Sequence, residues 1–221
     1  GYNNTASGGA STSIGQDNTA SGDNATAIGL MNTADALAST ALGAYASTNG
    51  KQGSFVIGDY SNNTPITSSD NHEFSARFSG GYRLYTNRDM TIGARLVPNQ
   101  TAWSTLSDSA KKEGFRLADG ALFLQKIAGM RLGSWNYRGQ DARTMRHYGP
   151  MAQDFFSAFG HDSVGIIGCD TLINQADFDG VNLIAIQALV RENLRLMREV
   201  ADLRCLLNGL AADLRALKTF T

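Results

Sequence analysis

The sequence predicts a mixed fold: a β-solenoid of short repeats at the N-terminus, a short β-rich connector, and an α/β block ending in a coiled-coil helix. Three observations carry this expectation. A fourteen-residue pattern recurs in phase through the first fifty positions. Glycine makes up 24 of 221 residues, with most of the excess over average usage in the first 60 residues and around Gly80-Gly81, and it recurs in register, whereas proline is only 3, which is not the composition of a disordered linker. Toward the C-terminus, apolar residues fall at heptad spacing.

Composition narrows the function classes. Apolar residues are 42% of the chain, enough for one or two ordinary domains. A net charge of −1 argues against a nucleic-acid binder driven by phosphate contacts. No apolar run reaches bilayer-spanning length, so no membrane insertion is expected in this segment. No signal peptide opens the chain, and Gly1-Tyr2-Asn3-Asn4 already fits the repeat, so the sequence reads as the C-terminal piece of a longer protein. Cys169 and Cys205 form no CxxC pair and read as free thiols. His72, His147 and His161 lack an HExxH arrangement, so neither a zinc site nor a cofactor is expected.

The repeat aligns Asn4-Thr5-Ala6-Ser7-Gly8 with Asn18-Thr19-Ala20-Ser21-Gly22 and with Asn32-Thr33-Ala34-Asp35-Ala36. Its second half ends in Ser13-Ile14-Gly15, Ala27-Ile28-Gly29 and Ala41-Leu42-Gly43, with Thr12, Thr26 and Thr40 in one column. Each unit has one large apolar residue, expected to face the same way as its alanines, and cannot bury a core until units stack. Glycine after the Ile or Leu is expected to supply a turn. This pattern resembles the head repeats of YadA-type trimeric autotransporter adhesins, over residues 1–50. The resemblance implies a parallel β-roll, three chains packed into one head, and a bacterial cell surface. Asp35-Ala36-Leu37 departs from the pattern, which predicts that the roll is ending there, with an incomplete fourth unit at residues 46–50.

Residues 51–103 read as the connector. Strands are expected at Ser54–Tyr60, Phe74–Phe78, Tyr82–Tyr85 and Thr91–Leu96, with a polar loop around Pro65 and a stop at Pro98-Asn99. Phe74, Phe78, Tyr82 and Tyr85 read as core ahead of a sugar-binding surface. Arg77 and Arg83 read as solvated or as paired across chains rather than as ligands.

Residues 104–221 form the last block. Asp119 caps a helix over Ala121–Ile127 that Gly129 stops. Ser134–Arg138 alternates as a strand, with Trp135 and Tyr137 on one face. His147–Phe156 opens a helix with Pro150 near its first turn, ending at Gly160, and Val164–Ile167 is a short strand. The long helix spans about 177–217. Ile186, Asn193, Val200, Leu207 and Leu214 take its a positions, and Leu189, Leu196, Leu203, Leu210 and Leu217 its d positions. Asn193 at an a position sets register and stoichiometry at some expense in stability. The helix alone does not decide between dimer and trimer; the roll resemblance selects the trimer.

Several stretches of this block, in order, are similar to the endosialidase-type C-terminal intramolecular chaperone, which trimerises phage tail spikes and related fibres. They are Leu106-Ser107-Asp108 with Lys112, Trp135-Asn136-Tyr137, Gly149-Pro150-Met151-Ala152-Gln153-Asp154-Phe155, and Asp179-Gly180-Val181 with Ala185-Ile186-Gln187-Ala188-Leu189. In cleaving members a serine and a lysine spaced like Ser107 and Lys112 release the domain after folding. Ser109 and Ala110 stand where many of those members carry a basic residue. Chemically, a serine needs a base, and a partly desolvated lysine amine serves. Attack by Ser107 on the Leu106 carbonyl cuts between the two, with Asp108 orienting the turn or simply capping it.

Two hypotheses follow. The first is the C-terminal tip of an intertwined homotrimeric surface fibre or adhesin, extracellular on a bacterium or on a phage tail fibre. Its last domain drives trimerisation, and a glycan or other cell-surface ligand is its external partner. The second is a self-cleaving serine–lysine autopeptidase acting once in cis. A carbohydrate-active tail spike is a weaker third, since no convincing pair of catalytic carboxylates is visible.

Overall fold

The computed structural model describes residues 1–218, apart from the side chains of residues 216 and 217, so the expected d position Leu217 lies outside the described side chains. The chain divides into two compact units, residues 1–112 and the residues from Glu113 onward.

The first unit begins with strands stacked in parallel. They are β1 (Thr5–Ala6), β2 (Thr12–Gln16), β3 (Thr19–Ala20), β4 (Thr26–Leu30), β5 (Thr33–Ala34), β6 (Thr40–Ala44), β7 (Ala46–Ser47), β8 (Phe55–Gly58), β9 (Ile66–Thr67) and β10 (Phe74–Arg77). Odd strands form one five-stranded sheet and even strands another. Pairing keeps the fourteen-residue register from Ile14 to Ile28 to Leu42, then places Ile57 opposite Leu42. The roll therefore runs to Arg77, past the expected end near residue 50. The fourth and fifth coils carry longer loops, which hides their period in the sequence while the strand register persists.

Asp35 explains how the third unit departs from the repeat without ending it. Its carboxylate accepts from the Thr48 hydroxyl at 2.8 Å and from Gly50 N–H at 2.7 Å, and so holds the wider loop of the next coil. Corners fall at Asn3, Ala10, Asp17, Asn24, Met31, Ala38 and Tyr45, every seventh residue, all with φ between 51° and 56°. These left-handed residues are held by backbone bonds one coil apart, such as Met31 N–H to Gln16 O at 2.9 Å and Tyr45 N–H to Leu30 O at 3.0 Å. The turn is thus made two residues beyond the glycine column, not at it. Gly29, with φ +125°, lies inside β4, and a Cβ there would stand 1.9 Å from Gly43 O. Glycine is present so that neighbouring coils can touch.

The interior is small. Ala20, Ala25, Ala27, Ala34, Ala41, Ala46 and Val56 form the buried cluster. Ile14 is 54% exposed and Ile28 37%, so the large residues face away from the alanines, contrary to expectation. The reason is elementary: neighbours in a strand point to opposite faces. Asn18 and Asn32 also lie inside, both wholly buried, as do Ser39, Thr48, Ser54 and Ser68. Asn32 Nδ2 donates to Asn18 Oδ1 at 3.0 Å, Ile28 O at 2.9 Å and Gly43 O at 2.9 Å, while its Oδ1 accepts from Ala46 N–H at 2.9 Å. Asn18 repeats this with Asn4, Ile14 and Gly29. A buried amide is tolerated because its hydrogen-bonding capacity is met coil by coil.

Arg77 ends the roll. It donates to Asp59 Oδ1 at 3.0 Å and to the carbonyls of Asp59, Asn62 and Thr64, so it is paired within its own chain. Beyond it, β11 (Tyr82–Tyr85), β12 (Gly93–Leu96) and β13 (Trp103–Thr105) form an antiparallel sheet. Phe74 is 66% exposed, and Phe78 and Tyr85 are also at the surface, so these aromatics are not a core in the single chain.

The second unit contains α1 (Gly120–Ala128), β14 (Gly133–Trp135), β15 (His147–Gly149), α2 (Ala152–Phe159) and α3 (Gln175–Lys218). Asp119 caps α1 by accepting from Ala121 and Leu122 N–H, and Gly129 ends it. Gly160 caps the end of α2. His147–Gly149 is a strand paired with β14 rather than the start of α2: Pro150 lacks the N–H that would extend the pairing, and the helix starts two residues later. The expected strand at Val164–Ile167 is a single bridge between His161 and Ile166. Phe155 and Phe159 of α2 are buried, and α1 packs on α3, with Gly120 closely against Ala188. Among the described residues, no helix is long and apolar enough to cross a membrane, and no group of three or more His, Cys, Asp or Glu could hold a metal ion.

Candidate functional site: the joint and the apolar rows

The joint follows directly from β13. That strand pairs with β12 through Leu96 with Trp103 and Ala94 with Thr105, and Leu106 N–H reaches Gly93 O at 3.4 Å. The chain then leaves the sheet. Asp108, in extended conformation, caps a single 3-10 turn over Ser109–Lys111, its Oδ1 accepting from Ala110 N–H at 3.0 Å. Lys111 N–H bonds Asp108 O at 3.0 Å and Lys112 N–H bonds Ser109 O at 3.2 Å. This tight turn folds Lys112 back on the residue five positions before it. Its Nζ donates to Ser107 Oγ at 2.7 Å.

The structure thus brings Ser107 and Lys112 into direct hydrogen bonding and gives Asp108 a capping bond. All three, and Leu106 beside them, are exposed. The distance suits proton transfer between hydroxyl and amine. For the lysine to accept that proton its amine must be neutral, a state favoured by removing water from it. Nucleophile and lysine are close in this structure, while the water-excluded surroundings that activate such a pair are not supplied by the single chain.

The residues assigned to trimerisation form a continuous row on α3. Ile186, Leu189, Leu196, Val200, Leu203, Leu207, Leu210 and Leu214 are each between 43% and 64% exposed. Asn193 lies exposed in the same row. Charge sits beside it: Arg195 bonds Glu192 at 2.6 Å and also Glu199, pairs at the i, i+3 and i, i+4 spacings of one helix. Cys205 is exposed. A second row, on the outer face of the roll, stacks Ile14, Ile28, Leu42 and Ile57 in register. The periodic Ile and Leu column was visible in the sequence, but its direction was not.

Comparison with known proteins bears on both ends. Residues 6–30 and 20–46 match the YadA head domain repeat in two copies. Residues 107–161 match the family described as chaperone of endosialidase, beginning at Ser107. The matches stand in the order read from the sequence. No curated protein and no solved structure matches the chain significantly.

Proposed function

We propose that this chain is part of a homotrimeric extracellular fibre in which the second unit aligns three chains so that the upstream β-structure forms in register. The observation that carries this reading is the row of eight large apolar residues on α3, all at least 43% exposed in one chain and spaced for a coiled coil. An apolar row of that length on a soluble helix gains its stabilisation by association, at about 25 cal/mol per Å² covered. The column Ile14–Ile28–Leu42–Ile57 is a second such surface, on a roll whose own core is thin. Parallel stacking is a non-local arrangement and slow to form, so an oligomerising element that holds chains together favours it. A cell-surface ligand is the external partner in this reading.

The test is the solution mass of the full chain beside a truncation that ends before Ile186. The full chain is expected at three times 23.6 kDa. The truncation is expected to aggregate or to lose its β-sheet circular dichroism. A soluble, β-rich trimer from the truncated chain would remove the chaperone role.

The 2.7 Å contact between Ser107 and Lys112 favours a second reading, single-turnover self-cleavage. Ser107 Oγ bonds to the Leu106 carbonyl carbon, and the Leu106–Ser107 C–N bond breaks. Lys112 relays the hydroxyl proton to the departing Ser107 amine. Water then hydrolyses the ester, leaving a Leu106 carboxylate and restoring the hydroxyl. In this reading assembly excludes water from the dyad, so cutting follows trimerisation. Denatured mass should show residues 1–106 and 107–221 as separate pieces in the unaltered chain, and one intact chain in Ser107→Ala and Lys112→Met. An unaltered trimer that stays whole on prolonged incubation excludes it.

A further inference from the structure

We propose that the second unit carries a saccharide-binding site built on Trp135 and Tyr137. The pairing of β14 with β15 sets Trp135 opposite His147, and the two rings stack with centroids 4.7 Å apart. Tyr137 stands edge-on to both, at 5.0 Å and 5.6 Å, and is 62% exposed. Trp135 and Tyr137 of this cluster line a cavity of about 670 Å³, whose polar lining includes Arg138, Gln153, Thr171 and Gln175. Trp135 Nε1 and His147 Nε2 are both buried without a hydrogen-bond partner.

The chemistry of the lining selects the ligand class. A pyranose has an apolar C–H face and a rim of hydroxyls that each donate and accept. The C–H face suits an aromatic ring, and the hydroxyls suit planar amide and guanidinium groups, which offer donors and acceptors at fixed angles. Those two kinds of group line this cavity, and its volume fits a small ligand of one or a few sugar units. A cationic ligand suits it less well: Arg138 adds positive charge to the lining, and with His147 stacked on Trp135 the exposed Tyr137 is the ring that offers a free face, enough for one sugar face but not for a ring-walled cage. One lining arginine on a chain of net charge −1 is also a poor match for a polyanion. The site deepens the fibre reading and rests on it only in assuming that this surface meets glycans outside the cell.

The chain has two tryptophans, so Trp103→Phe leaves Trp135 as the sole indole reporter. That variant is titrated with methyl glucoside, methyl galactoside, methyl mannoside and N-acetylglucosamine, and the same protein is applied to an immobilised oligosaccharide array. The expected result is a saturable change in Trp135 emission with at least one sugar, and an affinity about tenfold weaker in Tyr137→Ala and in the more conservative Gln153→Ala, with circular dichroism unchanged. The proposal is overturned if no saccharide binds above control, or if both variants bind as the parent does. The solution mass of each sample is read alongside. An intact trimer that binds no sugar sinks the site alone, whereas a monomeric sample sinks the fibre reading and leaves the titration to decide the site.

Discussion

The β-roll and the helix α3 are both elongated and both built on a short repeat, yet they distribute apolar residues in opposite ways. In the roll, the fully buried positions are alanines, one valine, two asparagines and the small hydroxyl residues Ser39, Thr48, Ser54 and Ser68, while the repeat's Ile14 and Ile28 lie outside. In α3 the described residues of the heptad row are exposed, and among the described residues of the helix Ala185 is buried. The roll satisfies its interior with hydrogen bonds inside one chain. The helix has its propensity and its pairs along one face, but its apolar row has no cover within one chain, and the proposed trimer would supply it. Defects inside the roll should therefore act whatever the oligomeric state, and defects in the α3 row should act through assembly.

The sharpest way to break this comparison is Gly29→Val. The new side chain meets Gly43 O at 1.9 Å in a backbone region that L residues rarely adopt. Upward of about 4 kcal/mol should be lost, read as a lower urea midpoint of the β-sheet signal. An unchanged midpoint would mean that the coils are not held at this spacing. Asn32→Ala comes next. It removes the amide that bonds Asn18, Ile28 O and Gly43 O and strands Ala46 N–H, for an expected loss of about 3 kcal/mol. Equal stability in the variant would deny the ladder its role in the core.

Asp119→Ala tests the other unit. Removing the α1 cap should lower stability by about 1 kcal/mol, measured by thermal melting of the helical signal, while leaving the roll's urea midpoint unmoved. The smallest effect expected is a local one at low pH. Backbone N–H groups of Asp70 and Ser69, then the Ser68 hydroxyl, hold Glu73 down at about 2. Asp59 lies well below the carboxylate range through Ser79 N–H, the Ser61 hydroxyl and Arg77. Both are depressed relative to the unfolded chain, so their stabilisation is present above the unfolded values near 4; that of Glu73 is lost as pH falls to about 2, and that of Asp59 persists lower. Protection of the Ser69 and Asp70 amides, taken relative to the intrinsic exchange rate at each pH, should therefore fall across that window, and Glu73→Gln should flatten the dependence. Protection that does not change down to pH 2 would contradict this.

Much of the fold was legible wherever one residue type has one local job. Asp119 and Gly129 bracket α1 because caps act within a turn. The heptad row lies within α3 because helical spacing is local. At the joint, Ser107 and Lys112 were named from spacing and resemblance, and the turn that brings them together is short enough to be set by Asp108 and its neighbours. Arg77 was misread for the opposite reason: its partners Asp59, Asn62 and Thr64 lie more than ten residues away, across a loop of no recognisable period. The cluster of Trp135 with His147 was also out of reach, because it depends on the pairing of two short strands separated by a loop.

By itself, the sequence determined the fourteen-residue stacking unit, the helix limits around α1, the heptad seam and the order of the two kinds of unit, all of which depend on spacing along the chain. Only the tertiary structure decided which face of each coil is inside, how far the roll continues, and which polar groups the asparagines and Arg77 satisfy. Alternation in a strand puts Ala27 and Ile28 on opposite sides without saying which side is covered. The second sheet faces the alanines, and the narrow space between the two sheets holds alanine, asparagine, serine, threonine and one valine while Ile14 and Ile28 stay outside.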